Sequence, residues 1–421
     1  MAQLAMMPGV EPSQTPKISI TPLLKRLWPK SQPPHVTADE IALAVSHIFS
    51  DQLSLVQTGA LLTALHFAEW DLQADVIAKC AQAMRAAAVP VDLEALDEMV
   101  RERRRERGGY RGGLCDVVGT GGDDHSTFNI STTASILASA LLVVSKHGNR
   151  AATSKSGAAD VLNAMAPTPP NIAAVTPQTL REVYQKTNYA FLFAPVFHPG
   201  MKYVATVRKE LGWRTIFNLL GPLANPVEGL IEARVIGVAR RELGATFAEA
   251  LRMGGSRKAL VVCGAEDLDE ISCAGPTFCW RLTEKVPSQR DGTDGVEMDH
   301  FTLSPPDFGL PIHPLSEVAP GRMPHENAVI LSKLLQNQLD PEDPILHFVL
   351  MNTAALFVVA GVCDTNPDSH PSSVPGAILA ERGPGGGRWK EGVRLARWAV
   401  ESGAAWRSWS SFVQVSNSFE G

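Results

Sequence analysis

The chain has 421 residues, which is long enough for two domains and a large hydrophobic core. Hydrophobic residues make up 45% and charged residues 19%, a composition that excludes the disordered and fibrous classes. A net charge of −6 argues against nucleic acid or a membrane surface as a partner, and no apolar run reaches the length of a membrane span. The six cysteines are scattered without a CxxC pair, so we expect no disulfide framework and a reducing, cytoplasmic location.

The first part of the chain predicts a small helical domain over residues 18–108, preceded by a flexible tail over 1–17. Thr37 and Glu40 have the spacing of a capping box, which marks the start of a helix. Apolar residues then recur at three- and four-residue spacing, and no strand candidate precedes Leu114. The candidate helices of this part are 41–49, 53–67 and 72–88.

From Leu114 onward the pattern changes to alternating strands and helices, which predicts a large α/β domain over 109–421. Such alternation favours a central, mostly parallel sheet that is buried on both faces. We therefore expect ligands at the carboxyl ends of the strands. The candidate strands are 114–118, 141–145, 190–192, 233–238 and 259–263.

Several connecting segments have clear local signals. The basic run 101–107 carries two glutamates, which favours a solvated helix face or a hinge over a nucleic-acid patch. A helix is predicted over 177–187, with Thr176 as its N-cap. Segments 284–298 and 364–388 are rich in Pro, Gly and Asp, so we expect exposed loops there.

A glycine-rich loop follows the first candidate strand. Val118 is followed by Gly-Thr-Gly-Gly-Asp, and an apolar helix-forming run begins at Ala134. Glycines reach positive φ and lack Cβ, so several N–H groups can converge on one anion, and a helix N-terminus adds partial positive charge. A bare strand-to-helix turn is the alternative, and the spacing matches neither the dinucleotide nor the Walker motif. The small polar residues between loop and helix favour a phosphate or pyrophosphate site.

A second polar segment, residues 145–157, follows another apolar strand. Lys146 provides a point charge for a phosphate, while Thr153 and Ser154 provide hydroxyl groups. Asn149 can both donate and accept hydrogen bonds to a sugar or substrate. Arg150 suits a structural salt bridge as well as a functional contact, and the residues leave that choice open.

Two adjacent carboxylates, Asp269 and Glu270, follow the candidate strand 259–263. Mg²⁺ takes one or two carboxylates together with substrate phosphates and waters, so this pair suits a magnesium site. The alternative is an acidic pair at a helix N-terminus. The two phosphate-type loops expected at the same edge of the sheet favour the metal.

A third segment, residues 191–226, mixes aromatic and apolar side chains with cations. A flat apolar surface beside a guanidinium suits a small aromatic carboxylate. Its three phenylalanines at 191, 193 and 197 could equally be core residues. The residues alone do not choose between Arg208 and Arg214 as the carboxylate-binding group.

These segments together resemble the anthranilate phosphoribosyltransferase family. The shared motifs are GTGGD with NIST, then KHGNR, then FAPxxHPxMK running into RTxFNxLGPLxNP, and finally LDEIS. The resemblance covers roughly residues 37–402, and the N-terminal extension and loop insertions are more like a fungal member. It implies a homodimer formed through a helical domain to which 196–225 contributes, with the active site in the cleft beside the α/β domain.

The resemblance also implies a reaction and its residues. A phosphoribosyl group passes from phosphoribosyl pyrophosphate (PRPP) to the amine of anthranilate in tryptophan biosynthesis, through an oxocarbenium-like displacement that uses no side-chain nucleophile. The implied donor-binding residues are Gly119, Thr120, Gly121, Gly122, Asp123, Asn129, Ser131, Thr132, Lys146, Thr153 and Ser154. The implied anthranilate-binding residues are Gly119, His147, Asn149, His198, Met201 and Arg208. Two Mg²⁺ ions are implied, one held by Ser131 with Glu270 and one by Asp269 with Glu270. Arg208 then binds the carboxylate, and Arg214 is structural.

Two other functions suit parts of this sequence. A pyrimidine-nucleoside phosphorylase has a related fold and glycine loop, but KHGNR and LDEIS oppose it. A nucleic-acid-binding paralogue without activity would need a basic cleft, which the net charge of −6 opposes. The chain departs from the family pattern at Asp124, which we expect to point away from the ligand, and at Asp267, which stands where glycine is usual.

Overall fold

The computed structural model describes residues 15–28, 36–103, 105–123, 125, 127–151, 155–285, 295–318, 323–365 and 374–419. Within these ranges no helix is both long and apolar enough to cross a membrane. The chain combines an N-terminal helical part with a large α/β part.

The N-terminal part contains five helices, and the predicted capping box is confirmed at the second. The Thr37 hydroxyl accepts a hydrogen bond from the Glu40 N–H, and the Glu40 carboxylate accepts one from the Thr37 N–H. The fifth helix buries Leu96 and Met99 in the core of the α/β part rather than among the other four. The helices are α1 (Thr21–Leu27), α2 (Ala38–Phe49), α3 (Leu55–Phe67), α4 (Ala74–Ala86) and α5 (Leu93–Glu102).

The α/β part is built on a seven-stranded sheet with the order β3-β2-β1-β4-β5-β6-β7. The first five strands are parallel and correspond to the five predicted strands, whereas β6 and β7 run antiparallel at one edge. The strands are β1 (Leu114–Gly119), β2 (Val143–Gly148), β3 (Tyr189–Phe193), β4 (Ile231–Gly237), β5 (Ala259–Gly264), β6 (Thr277–Glu284) and β7 (Val296–Leu303).

The sequence analysis missed the antiparallel pair. The loop predicted over 284–298 is wrong where β7 begins at Val296, and residues 286–294 lie outside the described ranges. Half of the β7 residues are polar and most are exposed, because the strand is at the sheet edge, so β7 lacks the apolar run that marks a buried strand.

The remaining helices lie between and after the strands along the chain, and most of them pack around the sheet. The predicted N-cap Thr176 is wrong, because the helix begins at Leu180 with Thr179 as its N-cap, and the Thr176 hydroxyl accepts from the Thr179 N–H instead. From the basic run, Arg103 donates to the carbonyl oxygens of Tyr184 and Thr187 at the end of this helix. The helices are α6 (Ile130–Ala138), α7 (Ala158–Asn163), α8 (Leu180–Lys186), α9 (Ala194–Phe197), α10 (Lys202–Leu211), α11 (Ile216–Leu220), α12 (Leu243–Met253), α13 (Pro324–Leu335), α14 (Pro344–Ala360), α15 (Trp389–Glu401) and α16 (Ala404–Ser416).

Two helices that follow β3 pack against the N-terminal part. The buried side chains of Val204 and Val207 on α10, and of Ile216 and Phe217 on α11, share one hydrophobic cluster with α2, α3 and α4. At the other end of the chain, α16 is fixed to the sheet because Phe412 packs against Tyr189, with ring centroids 5.1 Å apart.

Candidate active site

The glycine loop leaves the carboxyl end of β1 and is held from three sides. Gly121 and Gly122 have φ values of 69° and 76°, a left-handed conformation that glycine adopts without strain. The Gly121 N–H donates to Asp269 Oδ2 at 2.5 Å. The Arg214 guanidinium donates to the carbonyl oxygens of Gly121 at 2.9 Å and Gly122 at 2.8 Å. The Thr120 N–H donates to the carbonyl of Gly237 on β4 at 2.9 Å.

The N-terminus of α6 faces the same place as the loop. The Ser131 N–H donates to Glu270 Oε1 at 3.2 Å. Asn129 is fixed on two sides, since its amide donates to the Ser156 carbonyl at 3.0 Å and its oxygen accepts from Asn327 at 2.9 Å. The helix therefore begins against the carboxylates of one loop and the polar groups of another.

Lys146 on β2 lies beneath the loop and is almost fully buried. Its Nζ donates to the Val117 carbonyl at 2.6 Å and lies 3.5 Å from Ser131 Oγ. Burial lowers the pKa of Lys146, and the carboxylates of Asp116, Glu270 and Asp269 oppose that shift. The ammonium group is thus a buried cation at the base of the anion site.

Asp269 and Glu270 lie in a loop after β5, and the described chain over 265–276 contains no helix, so the helix N-terminus alternative is excluded. Burial first, and then the neighbouring Asp123 carboxylate, raises the pKa of Asp269 to about 7. Burial and Asp269 raise the pKa of Glu270 well above its usual range. Glu270 Oε2 has no hydrogen-bond partner in the described structure.

This carboxylate pair fits a divalent cation. Two buried carboxylates that resist ionisation are strongly stabilised by a metal. The positive ion compensates for the solvation of their negative charge, which was lost when burial excluded water. The described residues contain no cluster of three or more His, Cys, Asp or Glu side chains able to hold a metal. The remaining ligands would therefore come from substrate oxygens and water, as is usual for Mg²⁺.

The backbone around the carboxylates is tightly constrained. Asp267 has a φ of 62°, which explains why glycine is usual there and why aspartate, which tolerates the left-handed region, can replace it. A Cβ on Gly237 would lie 1.5 Å from the backbone oxygen of Asp269. Only glycine at position 237 lets the carboxylate loop approach β4 this closely.

Two adjoining cavities open at the carboxyl ends of the strands. The first has a volume of about 860 Å³ and contains the glycine loop, the α6 N-terminus, Lys146 and both carboxylates. All predicted donor and metal residues within the described ranges line it, while Thr153, Ser154 and Asp124 lie outside those ranges. The predicted residues that line it are Gly119, Thr120, Gly121, Gly122, Asp123, Asn129, Ser131, Thr132, Lys146, Asp269 and Glu270.

The second cavity has a volume of about 660 Å³ and contains all of the predicted anthranilate residues. These are Gly119, His147, Asn149, His198, Met201 and Arg208. Gly119, His147 and Asn149 line both cavities, so the two spaces meet at those residues. Arg150 also lines both.

The second cavity is mostly apolar, and Arg150 and Arg208 bring guanidinium groups to it. Arg208 on α10 is half-buried, with its guanidinium carbon 5.9 Å from the centre of the Phe217 ring. The rings of His147 and His198 are 5.2 Å apart. Burial lowers the pKa of His147 to about 3 and also lowers that of His198, so both imidazoles are neutral near pH 7.

The structure decides some of the alternatives that the residues left open. The phenylalanines at 191, 193 and 197 are buried core residues that do not line the second cavity. Arg208 lies in that cavity, whereas Arg214 lies in the first one and binds the glycine loop instead of serving only as a structural residue.

Several residues that line the first cavity were not predicted, among them His66 and Arg240. His66 is supplied by α3, and Arg240 by the loop after β4. Neither carries a local motif, so only the folded arrangement reveals their position. Arg214 differs from these two, because it belongs to RTxFN, one of the motifs that carry the family resemblance.

Comparisons with known proteins agree with this geometry. Residues 111–406 match the family model described as "Glycosyl transferase family, a/b domain", and residues 21–88 match "Glycosyl transferase family, helical bundle domain". The chain is therefore an enzyme of this two-part glycosyltransferase class. It is 39% identical to anthranilate phosphoribosyltransferase of Schizosaccharomyces pombe, over 91% of this chain and 94% of that protein. The chain belongs to the anthranilate phosphoribosyltransferase family.

Two further similarities extend over most of the chain. The enzyme of the same name from Herpetosiphon aurantiacus is 35% identical over 91% of this chain and 95% of its own length. The solved structure of the Saccharomyces cerevisiae enzyme in complex with PRPP and Mg superposes with a TM-score of 0.74 at 30% identity, covering 94% of this chain and 97% of that one.

Proposed function

We propose that this enzyme transfers the phosphoribosyl group of PRPP to the amine of anthranilate, giving N-(5-phosphoribosyl)anthranilate and pyrophosphate in L-tryptophan biosynthesis. The observation that carries the proposal is the pair of cavities that meet at Gly119, His147 and Asn149. One cavity has an anion-binding loop and two buried carboxylates, and the other has apolar walls and a guanidinium. The Saccharomyces cerevisiae relative, whose structures include complexes with PRPP and Mg and with 4-fluoroanthranilate, supports the same pairing of substrates.

The first cavity is the proposed donor site. N–H groups of the glycine loop and of the α6 N-terminus receive phosphate oxygens, and the buried Lys146 ammonium adds a full positive charge. Asn129 is held ready by its bonds to Ser156 and Asn327. The proposed donor residues are Gly119, Thr120, Gly121, Gly122, Asp123, Asn129, Ser131, Thr132, Lys146, Thr153 and Ser154.

Two Mg²⁺ ions are proposed to bind with the donor. Ser131 with Glu270 would hold one, and Asp269 with Glu270 the other. When bound, Mg²⁺ neutralises negative charge on the pyrophosphate and so makes it a better leaving group. The chain's own part is to present both carboxylates ionised, which the raised pKa of Asp269 makes dependent on pH.

The second cavity is the proposed anthranilate site. Arg208 binds the carboxylate, and the neutral rings of His147 and His198 form part of the wall. The anthranilate amine is a weak base that is unprotonated near neutral pH, so no strong general base is required. The amine nitrogen bonds to C1 of the ribose as the bond from C1 to the pyrophosphate oxygen breaks, with inversion and an oxocarbenium-like transition state, and the proton that the nitrogen loses passes to the departing pyrophosphate or to water. Catalysis then arises from alignment and charge stabilisation rather than from a nucleophilic side chain.

The quaternary structure is proposed to be a homodimer formed through a helical domain of residues 18–108 together with about 196–225, of which α5 packs on the α/β part instead. The support is apolar surface on α3, where Val56 is 82% exposed and Phe67 is 61% exposed. These residues lie eleven positions apart, which places them on one face of the helix. Val56→Glu should therefore give a monomer in sedimentation, whereas exposed Met253→Glu on α12 should leave a dimer intact.

A cytoplasmic location is proposed because all six cysteines are buried as free thiols, as expected in a reducing compartment.

The function as a whole can be tested in cells. A strain that lacks its own anthranilate phosphoribosyltransferase should grow without tryptophan when it expresses this chain. Growth that fails despite soluble protein at normal abundance would oppose the proposal.

A further inference from the structure

Arg214 makes two hydrogen bonds to the glycine loop, and the proposed mechanism gives these bonds no role. It lies between α10 and α11, and its two terminal nitrogens donate to the carbonyl oxygens of Gly121 and Gly122 at 2.9 and 2.8 Å. Charged donors to two successive carbonyls form a strong, directional clamp on a loop that glycine otherwise leaves free to vary.

The clamp determines where the loop's N–H groups point. In a trans peptide the N–H points away from its C=O, so holding the carbonyls of Gly121 and Gly122 toward Arg214 turns the N–H groups of Gly122 and Asp123 away from it. Neither N–H has a hydrogen-bond partner in the described part of the chain. Two adjacent N–H groups left available in this way form an anion-binding concavity.

The base of Arg214 is itself fixed to the N-terminal helices. Thr215 is buried and begins α11 with a capping box shared with Asn218, so the chain direction immediately after Arg214 is set. α10 ends at Leu211 with Gly212 as its C-cap, shortly before Arg214, and its buried Val207 lies in one hydrophobic cluster with residues of α3. The segment that carries the acceptor-site Arg208 therefore also holds the donor loop.

We infer that Arg214 is a positioning residue for the donor: it presets the glycine loop to receive pyrophosphate, and it couples that loop to the α10 segment that places Arg208. This inference rests on the proposed function for the identity of the donor. Arg214 acts through the loop and need not touch the substrate itself.

The test measures KM for both substrates in Arg214→Ala. Losing two hydrogen bonds from a charged donor should raise KM for PRPP roughly tenfold to a hundredfold and lower kcat, with only a small change in KM for anthranilate. Lys209→Ala is the matched control, because it removes an exposed cation from the same segment and should leave both constants unchanged. Equal increases in the two KM values, or an unchanged KM for PRPP, would overturn the inference.

Two further readouts separate positioning from a general structural defect. Arg214→Lys keeps the charge but loses the planar fork, so its KM for PRPP should lie between those of the wild type and the Ala variant, and it carries the test if the Ala variant does not fold. Guanidinium chloride below its denaturing concentration should restore part of the affinity for PRPP that Arg214→Ala loses. If Arg214→Lys shows no intermediate KM and guanidinium restores no affinity, the inference is contradicted. Calorimetric titration of PRPP with Mg²⁺, without anthranilate, measures the effect on donor binding even if the wild type shows no turnover, so failure of the proposed function remains distinguishable.

Discussion

Replacing Asp269 with Asn should stabilise the metal-free protein while removing its response to magnesium. Burial and Asp123 raise the pKa of Asp269 from 3.8 to about 7. Because the folded-state pKa is the higher one, the unfolded chain releases this proton first as the pH rises. The contribution of Asp269 to the free energy of unfolding therefore falls between about pH 4 and pH 7 and is constant above that range.

The size of the effect follows from the same shift. The pKa of Asp269 differs by about three between the folded and the unfolded chain, and each pKa unit is worth about 1.36 kcal/mol. Through Asp269 alone, the free energy of unfolding is therefore lower by about 4 kcal/mol above pH 7 than at low pH. Asparagine has the same shape, carries no charge and can still accept the Gly121 N–H through its oxygen. In EDTA at about pH 8 we expect the free energy of unfolding of Asp269→Asn to exceed that of the wild type by up to about 4 kcal/mol. At about pH 4 the two free energies should be alike.

Urea unfolding at these two pH values, with EDTA or with Mg²⁺, measures the difference. Mg²⁺ together with the donor should stabilise the wild type by mass action and should stabilise the variant much less. Glu297→Gln is the matched control, because it neutralises an exposed carboxylate on β7 and should change neither behaviour. If Asp269→Asn is equal to or less stable than the wild type at about pH 8 in EDTA, the reasoning about these buried carboxylates is refuted.

Three other changes test separate parts of the account. Arg208→Ala should raise KM for anthranilate roughly tenfold or more in steady-state assays, with KM for PRPP changing far less, because a charged hydrogen bond to the carboxylate is lost; equal effects would place Arg208 outside the acceptor site. Gly237→Ala puts a Cβ 1.5 Å from the backbone of the carboxylate loop and should abolish magnesium-dependent turnover, whereas Gly275→Ala, with no atom within 4 Å, should be active. Trp409→Ala on the buried face of α16 should cost about 3–5 kcal/mol in urea unfolding, and the exposed Trp28→Ala less than about 0.5 kcal/mol.

The parts of the structure that depend on short-range pattern were predicted from the sequence. A β-branched run, three glycines and a helix-forming segment lie within twenty residues, and the strand, loop and helix that they predict form as β1, the glycine loop and α6. The five parallel strands are mostly buried, and each contains a run of apolar residues that the sequence shows. The edge strand β7 was missed because most of its residues are exposed and half of them are polar, a pattern that also suits a loop.

Contacts between distant parts of the chain could not be predicted. Arg214 meets Gly121 across 93 residues, and no local pattern records which loop a guanidinium will reach. His66 and Arg240 join the donor cavity for the same reason. Asp267 could be predicted only in part. The sequence shows aspartate where glycine is usual, but it does not show the left-handed φ that this residue adopts.

The most direct test of the central claim follows anthranilate fluorescence in the presence of PRPP and the purified enzyme, with Mg²⁺ or with EDTA. The account predicts loss of anthranilate only when PRPP and Mg²⁺ are both present, with one N-(5-phosphoribosyl)anthranilate and one pyrophosphate formed for each anthranilate consumed. No magnesium-dependent loss of anthranilate by folded enzyme would contradict it, as would cleavage of a pyrimidine nucleoside with consumption of phosphate.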